Sequence, residues 1–139
     1  MKIKKISKNK FILILEKGED ILVSIKDFAE KQKINSGSFT GIGALDQVEI
    51  GYFDLKTNKY NFADIQTPVE ILSLIGNITK KDNSPFVHAH ITLGNDNFKA
   101  EGGHLRKSRV SLTCEIILEA YTKEIKRKLD KKTGVNQID

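Results

Sequence analysis

The three histidines of this chain are its clearest candidates for chemistry, because they fall within one short stretch. His88 and His90 are separated by one residue, and His104 follows the next turn. Side chains alternate between the faces of a β-strand, so His88 and His90 lie on one face of an extended segment. Three imidazoles on one surface can hold a divalent transition metal with a fourth position open to water or substrate. The pattern predicts a metal site; the alternative interpretation is three ordinary polar side chains that titrate near neutrality.

The turn between these segments has the composition of a β-hairpin. Residues 94–97 read Gly-Asn-Asp-Asn, and such residues tolerate the left-handed backbone that hairpin turns require. If strands 86–93 and 98–104 pair across this turn, His104 lies opposite His88 or Val87. Opposed side chains have Cβ atoms about 5 Å apart. One register therefore brings the three imidazoles into a cluster.

Two carboxylates on predicted strands are candidate catalytic residues. Glu70 follows Pro68-Val69, and Glu115 shares a strand face with Ser111 and Thr113. Either side chain could act as a fourth metal ligand, as an acceptor that orients an imidazole, or as a general acid or base. The alternative is a solvent-facing carboxylate or one paired with lysine, which is the usual state of such residues.

The elements that must position these residues are those of an α+β fold. Apolar residues at helical spacing predict one main amphipathic helix over about residues 19–33. From residue 36 onward, β-branched and aromatic residues alternate with polar ones between turn signals, as in consecutive strands. Short turns between consecutive strands favour a largely antiparallel β-sheet covered by the helix.

Length and composition indicate one soluble domain. The chain has 139 residues, of which 39% are hydrophobic and 29% charged, as in a globular protein. We assign residues 1–120 to this domain and residues 121–139 to a basic tail or a helix extension. The longest strongly apolar run, residues 11–15, is too short for a membrane span or a signal peptide. A single cysteine, Cys114, excludes an internal disulfide and predicts a cytoplasmic location.

The net charge of +5 is concentrated at the two ends of the chain. Residues 1–10 contain five lysines and no acid, and residues 121–133 contain six basic and two acidic residues. Clustered lysines and arginines attract phosphate groups, so the basic termini are candidate DNA contacts. The alternative is a pair of solvated termini with no such role.

A series of motifs along the chain resembles a known family. The motifs are Gly18-Glu19-Asp20, Gly41-Ile42-Gly43, Gly51-Tyr52-Phe53, Glu70-Ile71-Leu72-Ser73-Leu74-Ile75-Gly76, Pro85-Phe86-Val87-His88-Ala89-His90 and Gly102-Gly103-His104-Leu105. Over about residues 5–120, they resemble the plants-and-prokaryotes-conserved (PPC) domain. The resemblance implies a homotrimer of α+β domains in which His88, His90 and His104 hold a metal, with zinc the expected ion. It also implies a fold similar to that of acetolactate decarboxylase, a zinc enzyme with a three-histidine site.

Two functional hypotheses follow from the residues and the resemblance together. The first is a trimeric metal-binding protein with a DNA-binding or regulatory role, since the plant domain accompanies AT-hook DNA-binding motifs. This chain has no Arg-Gly-Arg-Pro AT-hook core, and Thr67-Pro68-Val69-Glu70-Ile71-Leu72 lacks the arginine of the plant partner-contact segment. The alternative is a small zinc-dependent enzyme, a lyase or hydrolase that binds a small oxo acid at the metal, with Glu70 or Glu115 as proton carrier.

Overall fold

The computed structural model describes residues 1–139 and shows an antiparallel sheet covered by one helix, which confirms the predicted α+β class. In chain order the elements are β1 (Lys2–Lys5), β2 (Lys10–Glu16), α1 (Ile21–Gln32), β3 (Gly37–Asp54), β4 (Lys59–Ile65), β5 (Val69–Lys81), β6 (Ser84–Gly94), β7 (Ala100–Ala120), β8 (Arg127–Leu129) and β9 (Asn136–Ile138). No helix has the length and apolar character that a membrane crossing requires.

Two long strands allow the main sheet to close on itself. Strand β3 has 18 residues and β7 has 21, so each pairs with different neighbours along its length. The two strands pair with each other, and β5 and β6 complete a second path between them. Strands β1 and β2 extend one edge of the sheet, and β4 forms the other. Closure holds β6 and β7, which carry the histidines, side by side.

Helix α1 packs on β6 and β7 and confirms the helix predicted over about residues 19–33. Asp20 caps its first turn by accepting a hydrogen bond from the backbone N–H of Val23 at 2.9 Å. The helix ends at Gln32, and its C-cap residue, Lys33, adopts the left-handed conformation with φ 55°. The apolar face of the helix is fully buried and comprises Ile21, Ile25, Phe28 and Ala29.

Residues 121–139, predicted as a basic tail or a helix extension, contain two short strands. Strands β8 and β9 pair as an antiparallel hairpin. The Asp130 carboxylate shapes its turn by accepting hydrogen bonds from the backbone N–H groups of Lys132 and Thr133. The hairpin is joined to the main sheet, because the backbone N–H of Lys80 donates to the Ile125 carbonyl at 2.8 Å. Residues 125–127, which lead into β8, therefore lie against β5.

Candidate metal centre

Strands β6 and β7 bring the three histidines together, as the alternation of side chains predicts. His88 and His90 share a face of β6, and His104 lies on β7. The pairing register differs from the predicted one: His104 lies directly opposite His90, not opposite His88 or Val87.

The register differs because the hairpin turn is longer than its sequence pattern indicates. Asn95 Oδ1 accepts hydrogen bonds from the backbone N–H groups of Asn97 and Lys99, each at 3.0 Å. Phe98 adopts left-handed backbone with φ 59°. These contacts close a loop over residues 95–99, so β7 begins at Ala100 and runs to Ala120, well beyond the predicted strand 98–104. A displacement of two residues from His88 to His90 keeps every side chain on its face, so the cluster forms despite the different register.

The imidazoles form a triangle of nearly equal sides. Ring centroids lie 5.2 Å apart for His88 and His90, 5.1 Å for His88 and His104, and 5.5 Å for His90 and His104. One nitrogen of each ring lies within 4.8 Å of the corresponding nitrogens of the others. Small side-chain rotations bring nitrogens at this separation to the distances of ligands on one ion.

The local electrostatics favour the neutral forms of His88 and His104. Burial, followed by the nearby His104, Arg127 and His90, lowers the pKa of His88 to about 4. Burial and then His90 also lower the pKa of His104. A neutral imidazole has a lone pair for a metal, whereas a protonated one has none.

An unpartnered buried nitrogen shows that the cluster fits a metal. The Nδ1 atom of His104 is buried and has no hydrogen-bond partner in the protein. Buried polar atoms in folded proteins nearly always have a partner, and an exception calls for an explanation such as a bound ion. Together with two further imidazoles, this nitrogen makes the donor set one that suits a divalent transition metal.

A cavity of about 680 Å³ opens beside His88 and His104. Arg127 lines it from β8, with its Nη2 atom 3.4 Å from His88 Nδ1. Sequence reasoning missed Arg127 as a site residue, because it placed residues 121–139 in a basic tail or a helix extension. The only signal at that position is one arginine within a lysine-rich run, which does not reveal that the chain folds back onto the site. The other residues that line the cavity are Phe53, Tyr60, Phe86, Gly134, Val135, Asn136, Gln137 and Ile138.

The two candidate carboxylates lie elsewhere. Glu70 is exposed on β5, where it is paired with Gly94 of β6. Glu115 is exposed on β7 and lines a separate apolar groove of about 400 Å³. Neither side chain lines the cavity beside the histidines, so neither is a proton carrier at that cavity within a single chain.

The closed sheet and its histidine cluster define a small α+β domain with a metal-type donor set, and comparison with protein families gives the family. Residues 4–122 match the Plants and Prokaryotes Conserved (PCC) domain. The chain belongs to this family, as its motifs predict.

Solved structures of similar proteins support the assignment. A structure named "putative dna binding protein" from Bacteroides thetaiotaomicron has 31% identity and a TM-score of 0.95, covering 99% of this chain and 96% of that one. The metal-containing protein AF0104 from Archaeoglobus fulgidus has 34% identity and a TM-score of 0.88, with 99% and 94% covered. A plant- and prokaryote-conserved (PPC) protein from Pyrococcus horikoshii has 34% identity and a TM-score of 0.88, with 99% and 93% covered.

A more distant likeness concerns the fold alone. α-Acetolactate decarboxylase from Bacillus subtilis has 10% identity and a TM-score of 0.57, covering 80% of this chain and 52% of that one. The fold similarity expected from the sequence is therefore present, and no activity follows from it. Comparison with curated protein sequences finds no match.

Proposed function

We propose that this protein is a homotrimeric zinc-binding member of the PCC family with a DNA-binding or regulatory role in the cytoplasm. The observation that carries the proposal is the histidine triangle with the unpartnered Nδ1 of His104. His88, His90 and His104 hold the ion. Three neutral nitrogen ligands favour zinc among the available divalent ions while leaving a coordination position free. The name of the Archaeoglobus relative, a metal-containing protein, supports a metal here.

Elemental analysis of protein purified without chelators tests the metal site. The wild type is expected to contain zinc at close to one ion per chain, and His88→Ala is expected to lose it. Thr92→Ala is the matched control, because Thr92 is exposed on the same strand and lies outside the cluster. Wild-type protein without metal, or full metal content in His88→Ala, would contradict the proposal.

The trimer is supported by an apolar surface that a single chain leaves exposed. Ile42, Leu72, Ile75 and Ile117 line the groove of about 400 Å³, and their exposed fractions lie between 54% and 61%. Exposed apolar patches of this kind mark interaction surfaces. A second copy of this chain is the occupant we propose, and the exposed Glu115 carboxylate lies in the same groove.

Sedimentation equilibrium tests the assembly. The wild type is expected at three times the chain mass of 15.6 kDa, and Ile117→Glu is expected to dissociate because it places a charge in the apolar contact. Leu55→Glu is the control, since Leu55 is 78% exposed and lies outside the groove. A monomeric wild type, or a trimeric Ile117→Glu variant, would refute this interface.

The DNA contact is supported by a groove of about 480 Å³ that gathers lysines from distant parts of the chain. Lys5 and Lys8 come from the N-terminal region, and Lys33 comes from the end of helix α1. None of these three lysines forms an ion pair, whereas Lys2 and Lys10 pair with Glu16 and Glu119. Unpaired lysines around one groove are available for phosphate oxygens. The name of the Bacteroides relative also supports this role.

Fluorescence anisotropy with a labelled DNA duplex at several salt concentrations tests this contact. Replacing Lys5, Lys8 and Lys33 together by Gln is expected to weaken binding and to reduce the slope of log K against log salt by up to about 2.7. The control replaces Lys56, Lys59 and Lys99 by Gln, which removes the same charge outside the groove. Equal loss in both triple variants would attribute binding to net charge alone and reject the groove as the site.

The alternative function, a small zinc-dependent lyase or hydrolase acting on a small oxo acid, is supported by the cavity beside His88 and His104. A zinc ion there would polarise a carbonyl or carboxylate group or lower the pKa of bound water. Glu115 is a better candidate proton carrier than Glu70, because it lies in the groove where a second copy packs under our proposal. Nuclear magnetic resonance of small oxo acids incubated with zinc-loaded protein tests this function. Turnover that is lost in His88→Ala and Glu115→Gln would support it, and an unchanged substrate would reject it.

A further inference from the structure

We infer that the cavity beside the histidines binds a small organic carboxylate with an apolar body, and that the guanidinium of Arg127 recognises its charge. The first anchor of the carboxylate is the guanidinium of Arg127, and it is argued from the contacts of that side chain. The second anchor is the metal ion proposed at the histidines, and for this anchor the inference rests on the proposed function. Arg127 opens strand β8 and lines the cavity together with His88 and His104.

The guanidinium of Arg127 is held firmly by neutral groups. Its Nε atom donates to Thr79 Oγ1, its Nη1 atom to the Asn136 carbonyl and its Nη2 atom to Asn77 Oδ1, each at 2.8 Å. Thr79 is 1% exposed, so one of these acceptors is part of the protein interior. The guanidinium also lies over the Phe86 ring, with Cζ 5.2 Å from the ring centroid. These contacts fix the orientation of the guanidinium, but they do not neutralise its positive charge.

No acidic side chain neutralises Arg127. The other two arginines of the chain form ion pairs, Arg106 with Glu49 and Arg109 with Asp46, each at 2.7 Å. The residues that line the cavity include no Asp or Glu. A half-buried charge normally has a partner of opposite sign, because removing an ion from water is costly. The missing partner at Arg127 is therefore best supplied by an anionic ligand.

The histidine cluster strengthens the preference for an anion. A divalent ion there would place two further positive charges beside the Arg127 guanidinium. A carboxylate between them lowers this repulsion, since its two oxygens accept from a guanidinium and also ligate hard and borderline cations. All three guanidinium nitrogens already donate one hydrogen bond each, which leaves two of about five N–H groups for a ligand. This favours a single carboxylate over a phosphate, which needs more donors.

The walls of the cavity determine the rest of the ligand. Phe53, Tyr60 and Phe86 contribute aromatic surface, and Val135 and Ile138 contribute aliphatic surface. The volume of about 680 Å³ far exceeds that of a carboxylate group alone and lies within the range of small-molecule sites. An apolar body attached to the carboxylate fills this space.

Calorimetric titration of zinc-loaded, full-length protein with 3-phenylpropanoate tests the inference, with 3-phenylpropanamide as the uncharged probe of the same shape. The wild type is expected to bind the carboxylate at least about tenfold more tightly than the amide. Arg127→Gln is expected to lose that preference. Lys128→Gln is expected to keep it, because it removes the same charge from the next residue, which does not line the cavity. Equal affinity of the wild type for both probes would overturn the inference whatever the variants do.

Two further measurements separate the causes of a loss. Backbone amide shifts of residues 127–138 report whether the hairpin keeps its structure in Arg127→Gln. If the hairpin loses its structure in Arg127→Gln, the Arg127→Lys variant is used instead. Retained preference of Arg127→Lys for the carboxylate supports recognition by charge, and complete loss of that preference opposes recognition by charge. Repeating the titration after zinc removal separates the proposals. Preference for the carboxylate in zinc-free protein supports recognition by Arg127 even if the metal proposal fails. Zinc-bound protein that shows no preference for the carboxylate rejects this inference and leaves the metal proposal unaffected.

Discussion

Removal of the Asp20 carboxylate is expected to destabilise the junction between helix α1 and the strand that carries His104. The two oxygens of Asp20 have different partners: Oδ1 accepts from the backbone N–H of Val23 at 2.9 Å, and Oδ2 accepts from the backbone N–H of Ser108 at 2.8 Å. The Ser108 hydroxyl in turn accepts from the backbone N–H of Ile21 at 3.0 Å. One side chain therefore caps the helix and ties it to β7.

The two contacts allow the cost of each substitution to be worked out separately. Loss of a helix N-cap costs about 1 kcal/mol. Ser108 is 4% exposed, so its N–H would be left without a partner away from water, at about 1–3 kcal/mol. We expect Asp20→Ala to lower the free energy of unfolding by about 2–4 kcal/mol. Asp20→Asn keeps one oxygen and should lose about half as much.

Urea unfolding followed by circular dichroism measures these losses. The protein concentration is kept fixed, because the proposed assembly would contribute to stability. Asp27→Ala is the control: it removes a carboxylate from the same helix, and Asp27 is exposed, so the change should stay within about 0.5 kcal/mol. An Asp20→Asn variant as stable as the wild type would refute the two-contact reasoning. Equal losses of unfolding free energy in Asp20→Asn and Asp20→Ala would show that a single side-chain oxygen at this position contributes no stability.

Three further changes test other parts of the structure. In Gly76→Ala, the new Cβ would lie 2.2 Å from Phe39 Cζ and 2.5 Å from the His88 carbonyl oxygen; urea unfolding should show a loss of about 1–3 kcal/mol, and a neutral effect would contradict this packing. Burial raises the pKa of the Cys114 thiol to about 12, so iodoacetamide should label it only after unfolding; equal rates before and after would contradict its burial. The hydrogen bond from the Thr133 hydroxyl, followed by those from the backbone, lowers the pKa of Asp130. The stabilisation of the hairpin by Asp130 is thus complete above the ordinary carboxyl pKa and is lost as pH falls through the lowered pKa. The amide shift of Thr133 should follow this loss in the wild type and should not follow it in Asp130→Asn.

Features that depend on local periodicity could be predicted from the sequence. The alternation of side chains on a strand places His88 and His90 on one face, whatever strands lie beside them. Helix α1 follows from apolar residues at helical spacing and a capping residue, Asp20. Both are properties of short segments, so neither requires knowledge of the rest of the fold.

Features that depend on loop geometry or long-range packing could not be predicted in the same way. The register of β6 and β7 depends on how the Asn95 side chain folds the turn and on the left-handed backbone of Phe98. Bulky residues such as Phe seldom adopt that conformation, so no residue preference indicates it. Arg127 reaches the cavity only because its segment pairs with β5 across 46 positions, from Lys80 to Lys126. A lysine-rich run does not contain that information.

His90 connects the proposed sites. Its strand pairs it with His104 on one side and with Ile75 of β5 on the other. Directly paired residues present their side chains to the same face of a sheet. Ile75 lines the apolar groove proposed for assembly, so His90, a proposed metal ligand, lies between the histidine cluster and the proposed subunit contact. An ion bound at His90 as proposed would order a side chain beside that contact, and a second copy packed on Ile75 would limit the rotations open to His90. Under the two proposals, each event would reduce the conformational freedom that the other must remove, so metal binding and assembly are expected to favour one another.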